Sequence, residues 1–229
     1  MPISDIMTVL MVIFLFISIL YIKRIQQQME IITKANEAIQ EISKEYVDHK
    51  QIIYDLLKNE FEQDLKKWSA ELLKDPIVIR FLSPEIMFHA GKSTIQPQFK
   101  NILLDFCPRY FSILNKFQKL IEEVRIEGHT SFEWYGAKTK LEAYFNNLKL
   151  SQNRTISVFQ YCVTIRSLKP NIRNWITKNA TANGLSSSKP LCLSDSINCR
   201  SLNRRVEFRV QIESEDILDK INKNLIKMQ

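Results

Sequence analysis

The chain has 229 residues, of which 45% are hydrophobic, and these values fit one soluble domain of ordinary size with additional elements. It contains only four glycines and neither a P-loop nor a GxGxxG motif, so a nucleotide-binding enzyme is not expected. The net charge of +7 arises from basic residues that are spread along the chain among 25 acidic ones, which indicates a solvated surface rather than a nucleic-acid-binding face.

An apolar segment of 17 residues, from Ile6 to Ile22, contains no charged side chain. As a helix it would be roughly 25 Å long, just enough to cross a bilayer core of about 30 Å if flanking side chains snorkel. A cleavable signal peptide is the alternative, but no basic segment precedes the run and no small-residue cleavage site follows it. We therefore predict a transmembrane anchor over residues 1–24.

A seven-residue repeat follows the anchor and predicts a helical stalk over residues 25–75. The repeat places apolar residues at the a positions, namely Ile25, Ile32, Ile39, Tyr46 and Ile53. Isoleucine at these positions favours a parallel two-stranded coiled coil. Gln28 and His49 interrupt the d positions, so the alternative is a lone amphipathic helix that packs on its own domain. Without an internal Gly or Pro, the helix is predicted to continue to about Leu73 and to end before Asp75 and Pro76.

Residues 76–213 alternate between strand-like and helical patterns, which predicts an α/β domain with helices packed on one sheet. A terminal segment, residues 214–229, is predicted to form a helical tail. The predicted strands cover residues 77–82, 123–127 and 206–212. The predicted helices cover residues 98–106, 111–120 and 147–166, and a short helix is expected in the loop-rich stretch that follows.

Three sequence blocks in this region carry a family resemblance. They are RIEGHT at 125–130, NLKLSQNR at 147–154 and NRRVEF at 203–208. Together they resemble the GHTD, NxxLSxxR and NRRVE signature of the OmpA-like C-terminal domain, and the resemblance covers roughly residues 77–212. It implies an α+β sandwich with a mixed sheet, of the kind found in periplasmic proteins that bind peptidoglycan.

The resemblance also implies a set of ligand-binding residues. They are Thr130, Ser131, Asn147, Arg154 and Arg205. In the family, the motif aspartate and arginine hold the diaminopimelate of the peptide stem, the aspartate by its amino group and the arginine by a carboxylate. Here Ser131 replaces that aspartate and supplies no charge, although Glu133 lies two residues further on and is a candidate substitute. The alternative is a structural role for Arg154 and Arg205 within the domain.

The N-terminal segment carries a second resemblance. SDIMTVLMVIFLFI at 4–17 is similar to the membrane segment of MotB-type stator subunits, and Asp5 matches the ion-carrying aspartate of that family. This implies a homodimer inside a MotA-like pentamer, with H⁺ or Na⁺ as the transported ion and no other cofactor. The alternative for Asp5 is a carboxylate in the headgroup region, at the positive end of the helix dipole.

Four cysteines lie in the C-terminal domain and permit three pairings. We expect Cys107 to pair with Cys162, and Cys192 with Cys199, in an oxidising periplasm. Buried free thiols are the alternative. His89 and His129 lack companions at metal-ligand spacing, so no metal site is predicted.

The two resemblances imply a non-enzymatic B-type subunit of an ion-driven rotary motor. It would be a single-pass protein of the bacterial inner membrane, with its C-terminal domain in the periplasm and bound to peptidoglycan. The aromatic-rich segment FEWYGAKTKLEAYF at 132–145 and the cysteines resemble the ZorB type of Zorya anti-phage defence. The alternatives are a flagellar stator subunit of the MotB type and a static protein that tethers the envelope.

Overall fold

The computed structural model describes residues 3–194 and 196–212, except for the side chains at positions 3–5, 42, 43 and 45. The described residues divide into two compact units, with the boundary between Asp48 and His49. The predicted helical tail, residues 214–229, therefore lies outside the described residues.

A single helix, α1 (Ile3–Lys67), contains both the predicted anchor and most of the predicted stalk. No Gly or Pro occurs within it, so nothing in its sequence interrupts the backbone hydrogen bonds. Its N-terminal part is long and apolar enough to cross a membrane, and the apolar side chains there are exposed, as Phe14 is to 72%. The structure thus contains the expected candidate for a single span.

The C-terminal part of α1 packs on the domain that follows. Ile53, Leu57, Phe61 and Leu65, spaced four residues apart, are buried, and the Phe61 ring lies 5.3 Å from that of Phe106. In this part, α1 is therefore the lone amphipathic helix packed on its own domain, which was the alternative to a coiled coil. The a-position residues further up the helix are more exposed, with Ile32 at 53%, and the two-stranded coiled coil stays a prediction.

The predicted end of the stalk helix near Leu73 is wrong. The helix α1 ends at Lys67, and Ser69 has a φ of 50°, a left-handed conformation that does not continue the helix. Ala70–Leu73 then form strand β1, which pairs antiparallel with β2 (Val78–Phe81) across the turn at Asp75 and Pro76. Tertiary pairing at the sheet edge overrides the helical pattern of this segment. The compact unit of the domain accordingly begins at His49 rather than at residue 76.

Five strands form the mixed sheet that the resemblance implied. After β1 and β2 they are β3 (Ile121–Gly128), β4 (Ala180–Gly184) and β5 (Val206–Ile212). Their order across the sheet is β1-β2-β5-β3-β4, and all neighbours are antiparallel except β3 and β4, which are parallel. Strands β2, β3 and β5 occupy the predicted positions, whereas β1 and β4 were not predicted.

The described part of the chain contains five further helices: α2 (Pro84–Met87), α3 (Pro97–Asn115), α4 (Lys140–Thr164), α5 (Pro170–Asn179) and α6 (Ile197–Asn203). The predicted break between residues 106 and 111 is wrong, because α3 continues through Pro108 while its apolar face stays buried on both sides of that residue. Helix α4 begins earlier than predicted because Thr139 caps it, accepting a hydrogen bond from the Glu142 N–H at 3.1 Å.

One face of the sheet is apolar and forms the core with α3. Phe208 on β5 and Phe81 on β2 contact Phe106 of α3, with ring centres 4.9 and 5.3 Å apart. The residues that alternate with them carry charge: Arg80, Glu207 and Glu127 lie side by side on β2, β5 and β3. The period of two along each strand therefore separates an apolar core from a charged face.

Two glycines allow α4 to approach the parallel strands closely. A Cβ at Gly184, at the end of β4, would lie 2.3 Å from the backbone nitrogen of Gln152. A Cβ at Gly128, at the end of β3, would lie 2.7 Å from Thr155 Cγ2. Because no other residue fits at either point, the helix rests directly on the strand ends and brings its residues 147–154 beside the loop that follows β3.

Both expected disulfides are confirmed. Cys107 of α3 is bonded to Cys162 of α4, and Cys192 is bonded to Cys199 at the start of α6. The first joins two helices, and the second closes the loop that leads to the NRRVE block.

Candidate functional site

Glu207 is the centre of a buried charged cluster on the sheet. Its side chain is fully buried, and it accepts hydrogen bonds from Arg205 Nε at 2.6 Å, Arg80 Nε at 2.7 Å and Arg209 Nη2 at 2.8 Å. Burial opposes ionisation of this carboxyl group, but the charge and hydrogen bond of Arg205 outweigh it, so the pKa of Glu207 falls to about 2. The glutamate is therefore ionised and fully partnered.

His129 lies beside this cluster and is itself buried. Its Nε2 is 3.8 Å from Glu127 and 3.9 Å from Glu207, which is too long for a hydrogen bond. Burial lowers the pKa of His129, so the ring is neutral near pH 7. These three side chains could hold a metal by spacing alone, but both carboxylates already accept hydrogen bonds from arginines, including Arg209 to Glu127 at 3.0 Å. The surrounding guanidinium charges make the cluster unsuitable for a cation.

Arg205, one of the predicted ligand-binding residues, belongs to the buried cluster. Besides Glu207, its guanidinium donates to the carbonyl oxygens of Lys189 at 3.0 Å and Asn203 at 3.4 Å. Only 4% of the residue is exposed. This placement favours the structural alternative for Arg205, and its contact with a ligand stays a prediction.

The other four predicted residues lie around one surface cavity of about 330 Å³, which we call the first cleft. Its lining includes Thr130, Ser131, Trp134, Asn147, Arg154 and Arg204. Three blocks that are distant in sequence therefore meet here: the loop after β3, the middle of α4 and the end of α6.

Asn147 and Thr130 define the shape of the first cleft. The Asn147 side chain donates to the carbonyl oxygen of Glu133 at 3.1 Å, and the Thr130 N–H donates to that of Ser186 at 2.9 Å. Thr130 Oγ1 is buried and has no hydrogen-bond partner among residues 3–194 and 196–212. Asn147 thus fixes the loop that carries Ser131, and the threonine hydroxyl lies buried beside the cleft without a hydrogen-bond partner in that part of the chain.

Glu133, the candidate substitute for the missing aspartate, is already paired. Its Oε1 lies 2.6 Å from Arg200 Nε on α6. This ion pair joins the loop after β3 to α6, across 67 positions of the sequence. Residues 3–194 and 196–212 therefore offer no unpaired acidic group at the position that the motif aspartate would occupy.

Arg154 is held by backbone carbonyl groups rather than by acids. Its Nε donates to Lys92 O at 2.9 Å, its Nη2 donates to His89 O at 3.2 Å, and its guanidinium carbon lies 4.8 Å from the centre of the Phe88 ring. Within the described part of the chain it forms no salt bridge. Burial, followed by the nearby charge of Arg204, lowers the pKa of Arg154 to about 10, so the group stays charged at neutral pH.

Arg204 was not predicted as a site residue. Its Nε donates to Arg200 O at 3.2 Å, and it forms no salt bridge with any described residue. The NRRVE block contains Arg204, but of its two arginines only Arg205 was predicted as a ligand-binding residue. Both arginines precede β5 (Val206–Ile212), and their positions in the sequence do not show that Arg205 contacts the buried Glu207 whereas Arg204 lies at the end of α6.

A second cleft of about 320 Å³ shares Ala90, Arg154 and Arg204 with the first. Its further walls include Met87, Phe88 and His129. The two guanidinium groups therefore stand at the junction of both clefts. Chemically, this arrangement can bind an anionic group through charge-assisted hydrogen bonds.

Asp5 lies in the first turns of α1, and its side chain is outside the described part of the structure. Its predicted role as an ion carrier therefore stays a prediction.

Comparisons with known proteins agree with this geometry. The OmpA family matches residues 87–204, which include the whole first cleft. The chain is 39% identical over 218 residues to the Zorya protein ZorB of Escherichia coli, covering 95% of this chain and 89% of that protein.

Among solved structures, a MotB-like protein from Desulfovibrio vulgaris has a TM-score of 0.54 at 21% identity, covering 75% of this chain and 96% of its own, which shows a shared fold. The periplasmic domain of Helicobacter pylori MotB has a TM-score of 0.49 at 19% identity, covering 69% of this chain and 89% of its own. The matched signature blocks, the sheet topology and the similarity along nearly the whole chain place this protein in the OmpA family, as a member of the ZorB type.

Proposed function

We propose that the chain is the B-type subunit of an ion-driven membrane motor, anchored to the cell wall and serving anti-phage defence. The observation that carries this proposal is the 39% identity to ZorB over 95% of the chain. The OmpA family match begins only at residue 87. The similarity to ZorB covers 95% of the chain, so it extends well beyond that match and includes most of α1. A shared wall-binding domain alone would not produce similarity of this extent.

Two features support a single-pass protein of the inner membrane with a periplasmic domain. The apolar N-terminal part of α1 is a candidate membrane span, and its apolar side chains are exposed. The two disulfides of the C-terminal domain suit an oxidising compartment. The span would fix the chain in the membrane, and the OmpA domain would hold peptidoglycan through the first cleft.

The proposed motor role places Asp5 at the ion pathway. Two copies of the chain would lie inside a MotA-like pentamer, and Asp5 would take up and release H⁺ or Na⁺ as it meets each partner subunit. A unit charge that crosses the membrane potential releases about 2.3 kcal/mol per 100 mV, which is enough to bias steps between states a few kcal/mol apart. The chain itself would transmit force and would carry out no covalent chemistry.

Substitution of Asp5 by Asn tests this role in cells that carry the complete defence system. The amide keeps the size of the side chain but holds no exchangeable charge, so we expect protection against phage to be lost while the MotA-like partner still copurifies. Asp48→Asn is the matched control, because Asp48 is an exposed acid on the same helix outside the apolar run, and it should leave protection intact.

Full protection by Asp5→Asn would contradict the ion-carrier role. Copurification also separates the motor from a static tether, since a tether would emerge without a five-subunit membrane ring.

A further inference from the structure

The charges that line the first cleft do not balance. Arg154 and Arg204 are the two cationic groups in its lining, and Glu133 is its one acidic group. Because Glu133 is paired with Arg200 at 2.6 Å, it compensates a third arginine rather than either of these two. Two guanidinium charges are left without a counter-charge from residues 3–194 or 196–212.

Two other partly buried arginines of the domain have acidic partners. Arg109 at the junction of α1 and α3 contacts Glu60 at 2.7 Å, and Arg80 on β2 contacts Glu207 at 2.7 Å. A partly buried cation is stabilised by such a partner, and its absence is unfavourable. The drop in the pKa of Arg154, which burial and the charge of Arg204 cause, has the same origin. An anion bound between the two groups would remove this mutual repulsion.

The neutral groups of the cleft complete the pattern. Ser131 and Thr130 supply hydroxyl groups, and the buried Thr130 Oγ1 lacks a partner within the described residues. A hydroxyl can accept a hydrogen bond from an ammonium group but contributes no charge to hold it. No described side chain of the lining therefore favours a cationic group on the ligand.

Arg204 is also held firmly in position. The loop before it is closed by the Cys192–Cys199 disulfide, and Asn203 accepts a hydrogen bond from Leu191 N at 2.7 Å and donates to Cys192 O at 2.9 Å. The Arg204 Nε bonds the carbonyl of Arg200, while its Nη groups make no hydrogen bond to any described residue. A guanidinium that is fixed at Nε and unbonded at Nη is preorganised to donate hydrogen bonds to a carboxylate.

We infer that the first cleft recognises its ligand as an anion, with Arg154 and Arg204 jointly binding one carboxylate and no side chain selecting for an ammonium group. This rests on the proposed function, in which that ligand is the peptide stem of the cell wall. It makes Arg204 a specificity-determining residue. It also means that a stem whose side-chain amino group has been converted into an amide is bound as well as a stem with a free amino group.

Three synthetic stem peptides with a diamino acid at the third position test this inference on the full chain in detergent micelles. One has a free side-chain amino group and carboxylate, one has the amino group acetylated, and one has the carboxylate amidated. Isothermal titration calorimetry should give affinities for the free and acetylated peptides within about twofold of each other. The amidated peptide should bind at least about tenfold more weakly, because it loses charge-assisted hydrogen bonds.

Two variants sharpen the result. Arg204→Ala should remove most of the difference between the free and amidated peptides. Ser131→Asp should introduce a preference for the free amino group over the acetylated one, because it restores an acid at the motif position.

A wild-type chain that binds the acetylated peptide about tenfold more weakly than the free one, while still binding sacculi, would overturn this inference and leave wall anchoring intact. Failure to bind any of the three peptides and sacculi would overturn wall anchoring and the inference together.

Discussion

The charged face of the sheet and the first cleft both contain clustered arginines, but they differ in what those arginines contact. On the sheet, Arg80, Arg205 and Arg209 surround the buried carboxylate of Glu207. In the cleft, the hydrogen bonds of Arg154 and Arg204 to described residues go only to backbone carbonyl groups, and Arg154 also lies over the Phe88 ring. A cation with its own counter-charge stabilises the fold, whereas a cation without one is available to a ligand.

Arg173 shows that carbonyl contacts alone do not define a site. It too donates only to carbonyl oxygens, those of Val163 at 2.8 Å and Ile165 at 3.1 Å among them. These groups belong to the C-terminal end of α4, where the helix dipole is negative and compensates the charge. Arg173 lines neither cleft, which makes it a useful control for Arg154.

The largest effect is expected from removal of the shared carboxylate. Glu207→Ala leaves three arginines without their buried partner and should lower the free energy of unfolding by about 3–5 kcal/mol. Glu71→Ala is the matched control, since Glu71 contacts Arg80 at 2.6 Å but has 42% of its side chain exposed, and it should lower that free energy by less than about 1 kcal/mol. Denaturant titration of the full chain in micelles measures both, and equal small losses would refute the stabilising role of the cluster.

The same carboxylate predicts how stability depends on pH. The pKa of Glu207 is about 2 in the folded chain, below the ordinary value of 4.5, so its contribution is complete above that ordinary value. It should be lost progressively as the pH falls from about 5 towards 2. His129, whose pKa is lowered by burial, should add a loss that begins as the pH falls through its ordinary value of 6.5.

Unfolding titrations of wild type and Glu207→Gln across this range isolate the glutamate. The variant should show a shallower decline below pH 5, and parallel curves would contradict the assignment.

An intermediate effect is expected from the short disulfide. Substitution of both Cys192 and Cys199 with Ser removes a bond that spans seven positions. The free energy of unfolding should fall by about 2 kcal/mol. Because this bond holds the loop before Arg204, sacculus binding should weaken more than stability alone explains. Sacculus binding measured without denaturant, at a temperature where the variant is fully folded, separates the loss of binding from the loss of stability. Unchanged binding there would show that Arg204 is positioned without the disulfide.

The smallest effect on the fold is expected from Arg204→Ala. Its one hydrogen bond within the described part of the chain is to Arg200 O, so the free energy of unfolding should change by less than about 0.5 kcal/mol. Affinity for the stem peptide with a free carboxylate should nevertheless fall. A variant that loses stability and binding in proportion would place Arg204 with the structural arginines instead.

Much of the domain could be predicted because its signals are local. The alternating residues of β5 gave its bounds as 206–212, and the disulfide pairs were identified among three possibilities. Strand β1 was missed because Ala70–Leu73 has the composition of a helix and becomes a strand only by pairing with β2. Strand β4 was missed because ATANG lacks apolar alternation and is defined by its contact with α4.

The candidate site, too, could be predicted only in part from the sequence. The motif blocks located Thr130, Ser131, Asn147 and Arg154 around one cavity. Whether a charged residue has a partner depends on tertiary distance, so the pairing of Glu133 with Arg200 and the burial of Arg205 beside Glu207 could not be predicted from spacing. Arg204 was overlooked for this reason, although it was part of a recognised motif.

Retention of the full chain on purified sacculi, compared between wild type, Arg154→Ala and Arg173→Ala, tests most directly whether the unpartnered arginines of the cleft hold the wall. Arg154→Ala should reduce retention about tenfold or more through loss of charge-assisted hydrogen bonds, while Arg173→Ala, which loses similar carbonyl contacts outside the cleft, should bind like wild type. Retention of Arg154→Ala at the wild-type level, or an equal fall in both variants, would contradict this account.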